Sequence, residues 1–153
     1  MALFASIVRM AHRAASPLDD DLSFLLARAN ALSLAAGNAA LVDLGLRVRS
    51  YSVLALAAGE GRPSQRELAE FLRLDPSQVV ALVDELQRRG LVVREPDPVD
   101  RRANVVVATS DGEELFARAR VAVRDAEREL HAGLSADDRA RLADLLQQIA
   151  FPA

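Results

Sequence analysis

Apolar residues recur at intervals of three and four along most of the chain, which is the spacing of one helical face. The longest such stretch follows Ser16-Pro17, with Asp19 to Asp21 expected in the first helical turn. Its apolar positions continue from Leu22 to Leu41 and cover too much of the helix circumference for one buried face. In a chain of this length, the second buried side is expected to be another subunit. Gly37-Asn38 is a candidate kink in this helix.

Two short helices joined by a tight turn are predicted between residues 64 and 90. The first begins at Ser64, which forms a capping-box pattern with Glu67. The second begins at Asp75-Pro76, a capping residue followed by the residue type favoured at the first helical position, and Gly90 ends it. Arg73-Leu74 is the expected turn. The residues predicted to face the core are Leu68, Ala69, Phe71, Leu72, Val79, Leu82, Val83 and Leu86.

A predicted β-hairpin follows these helices. Leu91 to Arg94 and Val105 to Val107 have the composition of strands, and the loop from Pro96 to Arg102 joins them. The predicted fold class is therefore mainly α with a small β-hairpin wing (α+β). A helix-turn-helix followed by a wing is typical of proteins that place one helix in a DNA groove and a basic loop in the neighbouring groove.

The outward face of the second short helix carries the residues that would meet DNA. Ser77 and Gln78 lie at its N-terminal end, where a recognition helix contacts base edges, and both can form hydrogen bonds there. The methyl groups of Val80 and Ala81 can meet thymine. The alternative is that Ser77 and Gln78 only complete the helix cap. The other residues predicted to face outward are Asp84, Glu85 and Arg88.

Three more helices are predicted outside this region. One spans Ser52 to Ala58, and another runs from the capping-box pattern Ser110 to Glu113 as far as about His131. A last helix begins at Ser135. The residues predicted to form its buried side are Leu142, Leu145, Leu146 and Ile149.

Charge and composition narrow the class of protein. The net charge of −3 does not exclude DNA binding, because a cluster of arginines lies in and after the second short helix. The absence of cysteine excludes disulfides and thiol sensing and favours a reducing compartment, the cytoplasm. No apolar run approaches the length expected of a membrane span, so a soluble protein is expected. The clustered arginines are Arg88, Arg89, Arg94, Arg101 and Arg102.

Little in the sequence indicates catalysis. The two histidines, His12 and His131, lie near opposite ends of the chain, and no hydrolase, phosphate-loop or dinucleotide motif occurs. No enzyme activity, metal site or cofactor is therefore predicted. Three interpretations of Met1 to Ala15 stay open: a frayed terminus, a short amphipathic helix that packs on a partner subunit, and a secretory signal.

The region from 64 to 112 resembles the MarR (multiple-antibiotic-resistance-type) family of transcriptional regulators. The resemblance implies a homodimer formed by the N- and C-terminal helices, in which two winged lobes bind a pseudo-palindromic operator. It also implies repression relieved by a small ligand, often an aromatic acid. The residues that carry it are Leu86, Gly90-Leu91-Val92, Arg94, Asp100-Arg101-Arg102, Thr109 and Gly112.

The resemblance assigns roles to individual residues. Ser77, Gln78, Val80 and Ala81 fall on the base-reading face. Arg102 falls at the wing tip, where an arginine enters the minor groove, and Asp100 falls at the position that braces it; the planar guanidinium suits that groove. Arg94 and Arg101 are assigned to phosphates. Val80 and Ala81 depart from the polar or basic residues of many members, and Ala108 stands where leucine is frequent.

The same resemblance organises the rest of the chain. Residues 1–50 and 111–153 are predicted to form the dimerisation region, and residues 51–110 the winged lobe. The candidate effector-binding residues are Arg47, Arg49 and Tyr51, because arginine can pair with an acid and tyrosine can stack on a ring. The alternative is that these residues only form an ordinary helix start. The competing hypothesis is a winged-helix module that associates only with proteins, which the balanced charge of residues 62–109 allows.

Overall fold

The structure is a computed structural model that describes residues 16–100 and 102–152. Met1 to Ala15 and Arg101, including the predictions made for them, lie outside the described residues. The chain divides into two compact units between Leu34 and Ala35, and the predicted division into a dimerisation region and a winged lobe stays a prediction. The helices are α1 (Leu22–Leu41), α2 (Val48–Ala57), α3 (Gln65–Leu72), α4 (Pro76–Arg88), α5 (Ser110–Leu130) and α6 (Ala136–Ala150), and the strands are β1 (Val92–Pro96) and β2 (Asn104–Ala108).

Helix α1 begins later than the sequence predicted. The carboxylate of Asp21 accepts a hydrogen bond from the backbone N–H of Phe24 (2.8 Å), so Asp21 caps the helix. Ser16 instead belongs to a turn, in which its N–H donates to the carboxylate of Asp19 (2.7 Å). The prediction that Ser16-Pro17 opens the helix was therefore wrong, because the local turn satisfies the groups that a cap would have used.

The predicted kink site serves a close helix contact. Helix α1 continues through Gly37-Asn38, and a Cβ atom on the buried Gly37 would lie 2.7 Å from a methyl of Val48. The side-chain oxygen of Asn38 accepts a hydrogen bond from the N–H of Val48 (2.9 Å). Gly37 therefore allows the start of α2 to approach, and Asn38 satisfies one of its free backbone donors.

Helix α2 begins four residues before the predicted start at Ser52. The hydroxyl of Ser50 accepts a hydrogen bond from the N–H of Arg47 and donates one to its carbonyl, both at 3.0 Å. A short 3₁₀ helix, Val42–Leu44, precedes this start. Arginine is not a typical capping residue, so the sequence pattern did not reveal the boundary.

The helix-turn-helix of α3 and α4 matches its sequence prediction closely. Arg73 ends α3 in the left-handed conformation (φ 53°), and the N–H of Leu74 reaches the carbonyl of Ala69 (3.1 Å). The exception is Phe71, which is 57% exposed rather than buried. The buried residues of the two helices are Leu68, Ala69, Val79, Val83 and Leu86, and Leu72 and Leu82 pack against them.

The wing is a two-stranded antiparallel hairpin with Val92 opposite Ala108 and Pro96 opposite Asn104. Val92, Val106 and Ala108 share one side of the hairpin and belong to the core of the helices, whereas Val105, which is also buried, points to the other side. The N–H of Val106 also donates to the carbonyl of Pro63 (2.8 Å), which ties the hairpin to the segment before α3. The wing is therefore fixed at its base on two sides.

Helix α5 is capped by Thr109, not by the predicted Ser110. The Thr109 hydroxyl accepts from the N–H of Gly112 (3.1 Å) and donates to the carbonyl of Gly90 (2.6 Å). A Cβ atom on Gly112 would lie only 2.0 Å from the carbonyl oxygen of Leu91. Thr109 and Gly112 thus join the end of α4, the hairpin and α5 at one point.

The terminal helices expose the apolar residues that were predicted to be buried. On α6, Leu142 is 37% exposed and Ile149 is 63% exposed. On α1, Leu22 is 76% exposed and Leu25 is 41% exposed. Within a single chain, the prediction of a buried side on α6 is wrong, because the other described elements cover these residues only in part.

Helix α1 also corrects the expectation about apolar length. With the following 3₁₀ turn, Leu22–Leu44 forms 23 residues of mean hydropathy 1.3, enough by length and composition to cross a membrane. The prediction that no apolar run approaches the length of a membrane span was therefore wrong. Length and composition are weak evidence for a membrane span, because an apolar helix that is covered by protein has the same properties.

Candidate DNA-binding surface

The N-terminal end of α4 is built around Asp75. Its carboxylate accepts hydrogen bonds from both the backbone N–H (2.8 Å) and the hydroxyl of Ser77. The Ser77 hydroxyl lowers the pKa of Asp75 most, and the Ser77 N–H lowers it further. In the free protein, the Ser77 hydroxyl is therefore occupied by the cap, whereas the side chain of Gln78 is exposed beside it.

Two apolar side chains continue this outward face. Val80 is 40% exposed, and Ala81 is also exposed. Val79 and Val83 point into the core from the same helix and are fully buried. Helix α4 therefore presents a mixed surface at its N-terminal half, with an amide at Gln78 and methyl groups at Val80 and Ala81.

The two arginines at the end of α4 differ in environment. Arg88 is exposed, and its side chain makes no hydrogen bond or ion pair with another described residue. The guanidinium of Arg89 donates to the carbonyls of Gly45 (2.6 Å) and Leu44 (3.2 Å). Arg88 is therefore available to a phosphate, whereas Arg89 attaches the end of α4 to the 3₁₀ turn.

Arg94 projects from β1 and is the most heavily bonded side chain of the predicted set. Its guanidinium donates to the side-chain oxygens of Gln65 and Gln87, and its Nη2 atom lies 2.6 Å from the carboxylate of Asp84. Only 25% of the Arg94 side chain is exposed. These contacts favour a structural role over the predicted phosphate contact, which stays untested.

The wing tip is shaped by two aspartates. The Asp97 carboxylate accepts from the N–H groups of Val99 (2.7 Å) and Asp100 (3.2 Å), and the Asp100 carboxylate accepts from the N–H of Arg102 (3.0 Å). Asp100 thus holds the backbone of Arg102. The side chain of Arg102 is exposed at this tip.

Two other arginines of the lobe form ion pairs with glutamates. Arg62 forms an ion pair with Glu95 of β1 (2.5 Å), and Arg66 pairs with Glu70 along α3 (2.8 Å). The Glu70 side chain raises the pKa of Arg66, chiefly through their hydrogen bond. Among the described arginines of the predicted cluster, Arg88 and Arg102 are the two whose side chains make no hydrogen bond or ion pair with another described residue.

The structure places the three candidate effector-binding residues in different environments. Arg47 and Arg49 are exposed at the start of α2. Tyr51 is half-buried and packs on Phe116 of α5, with the ring centres 5.8 Å apart. Tyr51 therefore contributes to the packing of α2 on α5, whereas the two arginines remain available to an anion.

Three comparisons place this geometry among known proteins. A family model described as MarR family matches residues 44–103. A MarR family transcriptional regulator from Rhodococcus sp. RHA1, of known structure, is 45% identical with a TM-score of 0.83, and the match covers 91% of this chain and 100% of that chain. This chain belongs to the MarR family. It is thus a transcriptional regulator of the winged helix-turn-helix class, as its sequence and fold class predicted.

Two further relatives show the range of this MarR similarity. CouR from Rhodococcus jostii RHA1, solved with p-coumaroyl-CoA bound, is 46% identical with a TM-score of 0.80, and the match covers 91% of this chain and 98% of CouR. A protein from Thauera aromatica described as a transcriptional regulator for the hcr operon is 33% identical over 99 residues. That match spans 65% of this chain and 60% of the relative.

Sequence reasoning missed several residues that shape this MarR surface. In the sequence, Arg89 looked like any other arginine of the cluster. Gln65 and Gln87 belong to no recognisable motif, because their contacts with Arg94 arise only when the hairpin folds against the helices. The role of Asp97 could have been predicted from the sequence, because an aspartate in a loop commonly accepts hydrogen bonds from the backbone N–H groups two and three residues later. Gly112 was noted only as part of the family resemblance, although its contact with Leu91 requires a glycine.

Proposed function

We propose that this MarR family regulator binds double-stranded DNA as a homodimer and represses transcription from a pseudo-palindromic operator. The observation that carries the proposal is the pair of exposed elements on one lobe: the N-terminal face of α4 and the wing tip with Arg102. A recognition helix reads base edges in the major groove, and an exposed guanidinium suits the narrow minor groove. Arg88 contributes a phosphate contact, as does Arg101 by its place in the wing sequence.

The proposed dimer is supported by the apolar faces of the terminal helices. Helix α6 exposes four large apolar residues on one side, and α1 exposes several more. Exposed apolar surface of this extent is typical of an interface between subunits. In a symmetric dimer each face is covered by its counterpart, and the two lobes are then set at a fixed distance. We place the protein in the cytoplasm and assign it no enzymatic activity.

For the effector, we propose an aromatic acid or its coenzyme A thioester. CouR, at 46% identity, binds p-coumaroyl-CoA. Both ligand forms carry anionic groups, and the exposed Arg47 and Arg49 can pair with such groups. Tyr51 takes a smaller part, since its ring already packs on Phe116.

Binding to the DNA upstream of its own gene tests the proposed function. We expect a specific shift in an electrophoretic assay, protection of two half-sites about ten base pairs apart centre to centre, and an affinity that falls steeply between about 50 and 200 mM salt. Selection of genomic DNA fragments that bind the protein gives a second source of sites. If the upstream DNA shows no specific binding and the selection enriches no fragment, the proposal is overturned and the protein-association module is favoured.

The effector is tested with three probes on the same DNA complex. We expect p-coumaroyl-CoA or p-coumarate to lower the affinity for the operator and to raise the melting temperature of the free protein, because a ligand that binds the folded state stabilises it. Coenzyme A alone is the control for the nucleotide part. If neither aromatic compound changes either quantity, the effector class is wrong while DNA binding stands.

A further inference from the structure

The guanidinium of Arg94 connects three elements of the winged lobe. Arg94 belongs to β1, Gln65 is the first residue of α3, and Asp84 and Gln87 lie one turn apart on α4. The Nε and Nη2 atoms of Arg94 lie 2.9 and 2.6 Å from the side-chain oxygen of Gln65. Its Nη1 atom lies 2.6 Å from that of Gln87, and Nη2 lies 2.6 Å from the Asp84 carboxylate. One planar group therefore satisfies three acceptors at once.

These bonds are not needed to attach the wing to the lobe. The hairpin is already held by its ladder, by the bond from Val106 to Pro63, and by the buried side chains of Val92 and Val106. The contacts of Arg94 act further out, between the hairpin and the outward side of α4. They therefore fix the angle between two elements more than they contribute to folding.

That angle matters for DNA recognition because α4 and the wing are proposed to enter different grooves, the major and the minor groove. If the wing shifts relative to α4, Arg102 and Gln78 can no longer meet their sites in one binding pose. We propose that Arg94 is a positioning residue, which holds the wing in register with the recognition helix and does not bind a DNA phosphate. This inference rests on the proposed DNA-binding function.

Arg94 has a second effect through Asp84. The Asp84 side chain is 52% exposed on the outward side of α4, where an unpaired carboxylate would repel DNA. The ion pair with Arg94 neutralises it. The effect of removing Arg94 therefore has two parts, a loss of register and an exposed negative charge, and the variants must separate them.

Arg94→Lys distinguishes the positioning role from a phosphate contact. Lysine keeps the charge and binds phosphate well, but its single nitrogen cannot span the three acceptors. We expect Arg94→Lys and Arg94→Ala both to weaken operator binding by about tenfold, the usual scale for a lost charge-assisted hydrogen bond. For Arg94→Lys, which keeps the positive charge beside Asp84, both the binding to non-specific DNA and the slope of log affinity against log salt should stay unchanged.

Arg88 provides the matched control, because it is an exposed arginine on the same lobe without a partner among the described residues. We expect Arg88→Ala to lower the salt slope by about one for each chain, hence by about two for the dimer, and Arg88→Lys to restore that slope because lysine also pairs with a phosphate. If the Arg94 variants follow this Arg88 pattern, the positioning role is overturned while DNA binding stands. If the wild type itself binds no operator, the proposed function fails first.

Two further variants keep the test independent of folding and of Asp84. Gln65→Leu removes an acceptor but leaves the charge of Arg94 in place. The positioning role therefore predicts weaker operator binding, whereas a phosphate role predicts unchanged operator binding. In Arg94→Ala with Asp84→Asn, we expect only part of the lost affinity to return. Full recovery of operator affinity would show that Arg94 only neutralises the charge of Asp84, and would overturn the positioning role. Urea unfolding of each variant shows that the lobe is folded at the assay temperature.

Discussion

Arg88 and Arg102 carry exposed guanidinium groups, whereas Arg89 donates to two backbone carbonyls and Arg94 to three side chains. In the sequence these arginines form one cluster and look alike. The structure separates them, because a guanidinium that is already bonded must break those bonds before it can reach a phosphate. The charge available to DNA is therefore smaller than the arginine count indicates.

Arg102→Ala should weaken operator binding by about tenfold, since it removes a charge-assisted contact in the minor groove. It should also reduce the preference for A·T pairs at the outer end of each half-site, because the narrow groove of such sequences attracts arginine. Fluorescence anisotropy on operator variants measures both quantities. Arg73→Ala, an exposed arginine in the turn before α4, is the matched control. Unchanged operator affinity would contradict the wing assignment.

Asp75 gives a pH dependence at the start of α4. Its pKa in the folded protein is lowered below the ordinary value of 3.8, chiefly by the Ser77 hydroxyl. The charged cap therefore stabilises the fold at every pH above 3.8, and this contribution is lost as the pH falls through the lower folded-state pKa. We expect Asp75→Asn to be less stable than the wild type at neutral pH.

The difference between wild type and Asp75→Asn should shrink as the solution is acidified below pH 3.8. Urea unfolding at a series of pH values measures it. Other carboxylates titrate in the same range, so only the difference between the two proteins reports on Asp75. A difference that is constant with pH would show that ionisation of Asp75 contributes nothing to folding.

At the scale of elements, local signals correctly predicted the helix-turn-helix and the Ser135 cap of α6, whereas they placed the starts of α1 and α2 and the cap of α5 wrongly. Asp75-Pro76 specifies one start, because capping and the fixed φ of proline act at the same place. At Thr109-Ser110, either hydroxyl could cap α5. Thr109 does so because its hydroxyl also reaches the carbonyl of Gly90, a contact that depends on the hairpin between them. The sequence pattern alone does not contain that contact.

Gly112→Ala should lower the free energy of unfolding by about 1 to 3 kcal/mol, the usual cost of overpacking. The added methyl would meet the carbonyl of Leu91 at 2.0 Å, so either α5 or the start of β1 must move. Gly133→Ala is the control, because a Cβ atom there meets nothing within 4 Å. Equal stability of the two variants would contradict the close packing of α5 on this segment. Denaturant unfolding supplies the measurement.

At the scale of the whole molecule, the terminal helices show what a single sequence cannot specify. The periodicity of α6 correctly marked Leu142, Leu145, Leu146 and Ile149 as one apolar side. It predicted burial, yet these residues are exposed in the chain, because the surface that covers them is proposed to belong to a second copy. The core of the winged lobe was predicted more accurately, since its partners lie within the same chain.

Leu145→Asp combined with Ile149→Asp should separate the proposed dimer into single chains, because the charges would be buried in the interface without partners. Light scattering should then give the mass of one 16.5 kDa chain in place of twice that mass. Operator affinity should fall strongly, since one lobe contacts only one half-site. Gln148→Asp, on the same helix, is the control. A wild type that is already a single chain would contradict the proposed architecture.

The exposed apolar face of α6 also has a genetic consequence. A chain that keeps this face but lacks a working wing still pairs with intact chains. When both are made in one cell in equal amounts, only a minority of the pairs carry two intact lobes. Mutant alleles that damage the wing should therefore be dominant over the wild-type gene, whereas alleles that damage α6 should be recessive, because their products leave the intact chains alone.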